Sequence, residues 1–212
     1  MDPVNSYIEE LQQTMNQLSK ERIEQVIQLL VEARMSRRQV FIMGNGGSAS
    51  TASHFVCDLA KNTRKSELPN YRVIGLTDNM AIFSALANDE GYESVFAQQL
   101  VSFVQPGDVV IGISASGNSP NVLNAMEVAN MMGATTVGFT GFNGGRLSSL
   151  VDYEIHVASN CIEHVEDIHL MLEHLIVKAI KDMDLAEFGY ISAETGSLIK
   201  AITVINTETG AD

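Results

Sequence analysis

The sequence predicts an α/β fold, a three-layer sandwich on a five-stranded parallel sheet, with a helical extension at the N-terminus. Two observations support this. Short β-rich runs alternate with helix-like segments through the middle of the chain, and a long stretch of helical periodicity precedes the first run. Strands that alternate with helices favour a parallel sheet that is covered on both faces.

The N-terminal segment, residues 1–36, is predicted to be helical. Apolar residues recur at helical spacing in two groups: Ile8, Leu11, Met15 and Leu18, then Ile23, Val26, Ile27 and Leu30. This pattern predicts one long helix or two consecutive helices within 5–35, and Ser19 could cap the second. The apolar stripe needs a partner, either the rest of the domain or another subunit.

The central domain, residues 37–185, contains the alternating elements. Strands are predicted at 39–44, 71–77, 108–114, 135–140 and 153–158, and helices near 48–61, 80–103, 119–132, 144–150 and 163–185. Right-handed crossovers would bring the strand-to-helix loops to one edge of the sheet, where ligands of such folds bind. The tail, residues 186–212, alternates weakly and could add a strand or remain loose.

Composition limits the class of protein. The chain has 212 residues, of which 45% are hydrophobic and 18% charged, so it can bury a sizeable core. No apolar run approaches the roughly 20 residues of a membrane span, and the polar, acidic N-terminus is unlike a secretory signal. Two cysteines and a net charge of −13 favour a reducing cytoplasm and disfavour direct binding of nucleic acid.

The first strand leads directly into a glycine-rich loop. Gly44, Gly46 and Gly47 allow backbone amides to approach an anion, and Ser48 lies where the next helix begins. The spacing also satisfies a dinucleotide-binding fingerprint, but no clear acidic residue follows about 20 positions later, as that fingerprint requires. A tight turn that binds no ligand is the remaining alternative.

A second polar loop follows the third strand. Ser114, Ser116, Asn118 and Ser119 surround Gly117 at the start of a helix. Short hydroxyl side chains at a helix N-terminus can bind phosphate without a lysine or an arginine. Turn chemistry alone could explain this loop, but two such loops on one sheet edge favour a phosphate site.

Two predicted helices each carry carboxylates and imidazoles. His54 and Asp58 are four residues apart and share a helix face. The last helix places Glu166, Leu170 and His174 on one stripe, with His169 and Glu173 close by. Such side chains can transfer protons or supply nitrogen and oxygen ligands to a zinc-like ion, although each pair alone is common on helix surfaces.

These motifs together resemble the phosphoheptose isomerase branch of the SIS domain family. The resemblance rests on GNGGS, a helix containing HF, the pairs TD and ND, SASGNS and a late helix with E-x-x-H, and it spans about 5–184. It implies the SIS fold, a homotetramer with active sites between subunits, and conversion of sedoheptulose 7-phosphate to the aldose D-glycero-D-manno-heptose 7-phosphate through an enediol.

The resemblance also implies roles for individual residues. Phosphate and sugar would be bound by Asn45, Gly46, Gly47, Ser48, Asp89, Ser114, Ser116, Ser119 and Glu166. Asp58 would be the base and His174 the acid, and one zinc ion per subunit would be held by His54, Asp58, Glu166 and His174. The chain departs from the family pattern twice, with Asp58 in place of glutamate and Glu166 in place of glutamine.

Three other functions remain open from the sequence. The chain could be a non-catalytic SIS protein, such as the tetrameric partner of a replication initiator, but retention of Asp58, Glu166 and His174 disfavours this. It could isomerise another sugar phosphate. A dinucleotide-dependent oxidoreductase is the least favoured, because it would not need the second serine loop.

Overall fold

The computed structural model describes residues 2–183, so the tail predicted at 186–212 lies outside the described part. Within residues 2–183, seven α-helices and five strands follow in the order α1 (Pro3–Asn16), α2 (Lys20–Met35), β1 (Gln39–Gly44), α3 (Gly47–Lys61), β2 (Arg72–Gly75), α4 (Met80–Asp89), α5 (Ala97–Phe103), β3 (Val109–Ser114), α6 (Pro120–Met131), β4 (Thr135–Thr140), β5 (Tyr153–His156) and α7 (Ile162–Asp182). Short 3-10 helices cover Tyr92–Ser94 and Leu147–Ser149.

The five strands form one parallel sheet in the order β2-β1-β3-β4-β5. Its two faces are buried in separate cores because successive side chains point to opposite sides. Val40 and Ile42 pack in the core with α2, α3 and α7, whereas Phe41 and Met43 pack in the core with α5 and α6. The predicted three-layer α/β architecture is therefore confirmed.

The N-terminal segment forms two helices rather than one. Ser19 lies between them in an extended conformation, and its hydroxyl accepts a hydrogen bond from the backbone N–H of Arg22, as its predicted capping role requires. The first helix, α1, contacts α7 through the Tyr7 hydroxyl, which donates to Asp167 over 2.6 Å. Ile8 and Met15 of α1 remain exposed, so within this chain the predicted apolar stripe is only partly covered.

The segment predicted as a helix over 80–103 is interrupted. α4 ends at Asp89, Gly91 has a φ of +94°, and a 3-10 turn precedes α5. A residue with this φ cannot continue a right-handed helix, and glycine adopts it without steric cost. The interruption places Tyr92 beside the loops at the carboxyl edge of the sheet.

Among the described residues, α7 is the last and the longest helix, with 21 residues. One of its faces packs in the core against α3 and α2, through residues such as Ile168, Leu172 and Ile176. Within residues 2–183, no helix combines the length and the apolar character needed to cross a bilayer.

Candidate active site

The two polar loops meet at the point where the strand order reverses. β1 and β3 are adjacent, and the chain leaves them towards opposite faces of the sheet, which opens a crevice at their carboxyl ends. Two asparagines join the loops across this crevice. The amide of Asn45 donates to Asn121 over 2.8 Å, and the amide of Asn121 donates back over 2.9 Å.

The first loop turns sharply into α3. A methyl group added at Gly44 would lie 2.6 Å from the backbone oxygen of Ser48, so the chain can approach this closely only with glycine. Gly46 has a φ of +55° and precedes the first residue of the helix. Ser48 is buried in the first turn, where the free backbone N–H groups of α3 favour an anion.

The second loop brings its hydroxyl groups together. The hydroxyls of Ser114 and Ser119 lie 3.1 Å apart, and the hydroxyl of Ser116 accepts from the backbone N–H of Asn118. Gly117 has a φ of +64°, and a methyl group there would overlap the backbone oxygen of Gly144. The loop conformation therefore depends on this glycine.

A cleft of about 630 Å³ opens at the crevice. Its lining consists of Asn45, Tyr92, Glu93, Ser119, Pro120, Asn121 and Asn124. The Tyr92 hydroxyl donates to the side-chain oxygen of Asn45 over 2.8 Å. Asp89, predicted to bind sugar hydroxyls, is exposed at the end of α4, where it accepts from Asn88, and it does not line this cleft.

Four side chains from α3 and α7 converge beyond the first loop. One ligand atom each from His54, Asp58, Glu173 and His174 lies within 4.8 Å of all the others. The Nε2 atoms of the two histidines are 3.3 Å apart. His54 Nε2 lies 3.7 Å from Asp58 Oδ2, and His174 Nε2 lies 3.4 Å from Glu173 Oε2. The predicted neighbourhood of His54, Asp58 and His174 thus exists within one chain.

Three of the distances between these ligand atoms are close to those of a tetrahedral metal site. Zinc binds nitrogen and oxygen ligands at about 2.0–2.1 Å, so two ligand atoms of a tetrahedral site lie about 3.3–3.4 Å apart. The distances from His174 Nε2 to His54 and to Glu173 match this value, and the His54–Asp58 distance exceeds it by a few tenths of an ångström. Two imidazoles and two carboxylates are also ligand types that zinc accepts.

Glu173 is the buried member of the group. Its side chain has 0% exposure, whereas that of His174 is 52% exposed. Burial, followed by the nearby carboxylate of Asp58, raises the pKa of Glu173 to about 8. Neither carboxylate oxygen of Glu173 has a hydrogen-bond partner among the described residues. A carboxylate in this position is costly unless a cation or a proton neutralises it.

Glu166, which was predicted as a metal ligand, lies apart from this group. Eight residues of α-helix separate it from His174 and correspond to a rise of about 12 Å. Its carboxylate instead faces the start of α3, where a methyl group added at Gly47 would lie 2.8 Å from the nearer oxygen. This end of α3 carries the positive end of the helix dipole, which favours the negative charge.

Three residues of the site were not singled out from the sequence as site residues. Asn121 and Tyr92 join the loops at the crevice, and Glu173 completes the four-residue group. The signal for Asn121 is its place just after the second loop, at the start of α6. Glu173 had a weaker signal, a charged residue beside His174 on the face of α7 that packs in the core.

Comparisons with known proteins agree with this geometry. A profile described as "SIS domain" matches residues 5–141. A curated phosphoheptose isomerase from Aliarcobacter butzleri is 37% identical over 163 residues, which are 76% of this chain and 85% of that protein. The structure of a phosphoheptose isomerase from Francisella tularensis superposes with a TM-score of 0.79 at 30% identity, over 86% of this chain and 98% of that one.

A second solved phosphoheptose isomerase, from Neisseria gonorrhoeae, superposes with a TM-score of 0.78 at 26% identity, over 85% of this chain and 97% of that one. Because these proteins are matched over nearly their whole length, the similarity includes both serine loops and α7 as well as the sheet. The chain therefore belongs to the SIS domain family, in its phosphoheptose isomerase branch, and is by that membership a sugar-phosphate isomerase.

Proposed function

We propose that the protein converts sedoheptulose 7-phosphate to D-glycero-D-manno-heptose 7-phosphate through an enediol. The observation that carries the proposal is the arrangement of two chemically different sites along one helix. The free backbone N–H groups at the N-terminus of α3 would bind an anion, and a group of carboxylates and imidazoles lies further along the same helix. Such an arrangement suits a substrate with phosphate at one end and a carbonyl at the other.

The first loop and the second loop would hold the phosphate. Ser48, Ser114, Ser116 and Ser119 offer hydroxyl groups at the starts of α3 and α6. Asn45, Gly46 and Gly47 would contribute backbone or amide donors, and Glu166 would accept hydroxyl groups of the sugar beside Gly47. These donors carry no formal charge, so the helix dipoles supply much of the attraction for the phosphate.

The spacing of the two sites suits a seven-carbon substrate. Ser48 and His54 are six residues apart on α3, a rise of about 9 Å. Six bonds of about 1.5 Å join C1 to C7 of a heptose, and in a staggered chain they span a similar distance. A sugar bound through its 7-phosphate would therefore present C1 and C2 near His54, Asp58 and His174.

Proton transfer would use the paired carboxylate and imidazole. Asp58 takes a proton from C1 of the ketose and returns one to C2, while His174 moves the proton between the two oxygens of the enediol. Asp58 is nearly buried and His174 is half-exposed, so the imidazole can exchange protons with solvent. A zinc ion held by His54, Asp58 and His174 would polarise the carbonyl when bound.

The same proposal includes a cytoplasmic homotetramer. The exposed apolar residues of α1, among them Ile8 and Met15, give a physical reason for association, since another subunit would remove them from water. The number of subunits comes from the family resemblance alone.

A coupled assay with sedoheptulose 7-phosphate tests the function. The full chain is assayed with added Zn²⁺ and after treatment with a chelator, and the aldose product is detected by a following enzyme. We expect turnover that His174→Ala abolishes, because the imidazole lies at the reacting end of the substrate. His156→Ala is the matched control, since this histidine lies on β5 outside the group.

The outcomes separate the alternatives. Binding of the sugar phosphate without turnover by the wild-type chain would indicate a non-catalytic SIS protein. Turnover of a shorter sugar phosphate in preference to the heptose would leave isomerisation intact and refute the proposed substrate. Equal loss of activity in His174→Ala and His156→Ala would refute the assigned role of His174.

A further inference from the structure

Glu173 occupies a position that packing alone does not explain. It lies on the face of α7 that packs in the core, beside Leu172 and Ile176, which are completely buried. The carboxylate has 0% exposure, and both oxygens lack a hydrogen-bond partner within residues 2–183. A buried carboxylate left in this state costs several kcal/mol, so a core role would favour an apolar residue here.

The carboxylate points towards the other three members of the group. Its Oε2 lies 3.4 Å from His174 Nε2 and within 4.8 Å of ligand atoms of His54 and Asp58. Two acidic side chains this close repel each other unless a proton or a cation lies between them, and the proximity of Asp58 adds to the raised pKa of Glu173. The two histidine Nε2 atoms are 3.3 Å apart, a distance at which one ring can donate a hydrogen bond to the other. A divalent cation at the centre would replace these protons and bind all four side chains.

We propose that Glu173, and not the Glu166 of the same chain, is the fourth protein ligand of a zinc ion held by His54, Asp58 and His174. The inference concerns the metal of the proposed function and so rests on it. It adds that the two carboxylates of α7 have different tasks: Glu173 binds the ion, to which the substrate carbonyl would add as a fifth ligand, and Glu166 remains at the start of α3 beside Gly47. With Asp58 and Glu173 as ligands, the protein neutralises both charges of the ion.

Direct measurement of metal binding tests this assignment. Zn²⁺ is titrated calorimetrically into the metal-free full chain, and bound zinc is counted after dialysis. We expect one ion per chain in the wild type. Loss of a second-sphere group costs about 10–100-fold in metal affinity, so Glu173→Gln, which replaces an anionic ligand by a weaker neutral amide oxygen, should cost at least about 10-fold. Glu166→Gln is the matched control and should change the affinity by no more than a few-fold.

A stability measurement guards against a variant that merely unfolds. Glu173→Leu replaces the unpartnered carboxylate by an apolar side chain of similar size. Its metal-free form should melt at the wild-type temperature or above it, because the buried acid is removed. Added Zn²⁺ should raise the melting temperature of the wild type and of Glu166→Gln, but not that of Glu173→Leu.

The results have a clear meaning in each direction. Zinc affinity that falls in Glu173→Gln and persists in Glu166→Gln supports the assignment. Wild-type affinity in Glu173→Gln, loss of affinity in Glu166→Gln, or absence of zinc binding in the wild type would overturn it. Because the readouts are binding and melting, failure to turn over a heptose phosphate would refute the proposed substrate and leave this result standing.

Discussion

His169 should make the stability of the protein depend on pH. Its side chain is buried on α7, and the ring Nε2 lies 3.1 Å from the backbone oxygen of Thr140, whereas Nδ1 has no partner among the described residues. Burial lowers its pKa from 6.5 to about 4; the hydrogen bond to the Thr140 carbonyl opposes this, and the nearby His156 adds to it. The folded protein thus holds His169 as neutral imidazole.

The direction of the effect follows from proton linkage. Between pH 6.5 and pH 4 the unfolded chain binds a proton at His169 that the folded chain does not bind, so acidification favours unfolding. The stability contributed by His169 is present above pH 6.5 and is lost as the pH falls to about 4. At 1.36 kcal/mol per pH unit, the loss amounts to about 3 kcal/mol.

Urea unfolding followed by circular dichroism measures this loss. Wild type and His169→Gln are compared from pH 7.5 to pH 4, at fixed protein concentration and with a chelator present, so that neither subunit association nor metal release differs between the samples. Glutamine can still donate to the Thr140 oxygen but does not titrate. The wild type should lose about 3 kcal/mol more than the variant.

A second background separates the causes. The extra loss should persist when both proteins carry His156→Gln, because burial and not the neighbouring histidine is the main cause. If wild type and His169→Gln lose stability in parallel from pH 7.5 to pH 4, the reasoning is wrong and the folded protein accepts a proton at this site.

Three further experiments address the loops and the assembly. Gly117→Ala should lower the urea midpoint more than Gly46→Ala: both variants force alanine into a positive φ, which costs about 1–2 kcal/mol, but only the methyl group at position 117 overlaps the backbone. Equal midpoints in the two variants would contradict this. The double variant Ser116→Ala with Ser119→Ala should bind sedoheptulose 7-phosphate more weakly by a few kcal/mol in calorimetry, because each hydrogen bond to a charged group contributes roughly 1.5–3 kcal/mol. Ser102→Ala on α5 is the control and should leave the affinity unchanged; an unchanged affinity in the double variant would place the phosphate elsewhere. Light scattering of dilute protein should give the mass of a tetramer, and a monomer would refute the proposed association.

Much of the fold could be predicted because its signals are local. Each predicted strand lies within three residues of the observed bounds, since buried parallel strands are short apolar runs between turn residues. The break between α4 and α5 was missed because glycine within a helical pattern is often tolerated, and only the tertiary structure sets the φ of Gly91 to +94°. The position of Tyr92 at the crevice, where its hydroxyl donates to Asn45, depends on that break.

The candidate site was predictable as far as helical geometry reaches. His54 and Asp58 were paired correctly because residues four apart share one face of a helix. Glu166 and His174 were predicted to share one metal site because they lie on one stripe of the helix, but eight residues of helix separate them by a rise of about 12 Å. The side of α7 that packs against α3 is set by contacts between distant segments of the chain, so the spacing of residues within α7 does not predict it.

Asp58 shows how one local departure can be understood only from its surroundings. Aspartate is one methylene shorter than the glutamate of the resembling family, which sets the carboxylate back by about 1.5 Å. In isolation this shift would move the carboxylate away from a metal ion or substrate, and a displacement of about 1 Å can cost a hundredfold in rate.

The structure nevertheless keeps Asp58 Oδ2 3.7 Å from His54 Nε2, and it brings the carboxylate of Glu173 into the same group from the opposite helix. A second carboxylate from α7 compensates for the shorter one from α3 if both bind one ion. The contributions of Asp58 and Glu173 to zinc affinity are therefore expected to depend on each other. Restoring glutamate at position 58 in the Glu173→Gln background should recover part of the zinc affinity that Glu173→Gln loses. If the change in zinc affinity of the double variant equals the sum of the changes in the two single variants, the two carboxylates act independently.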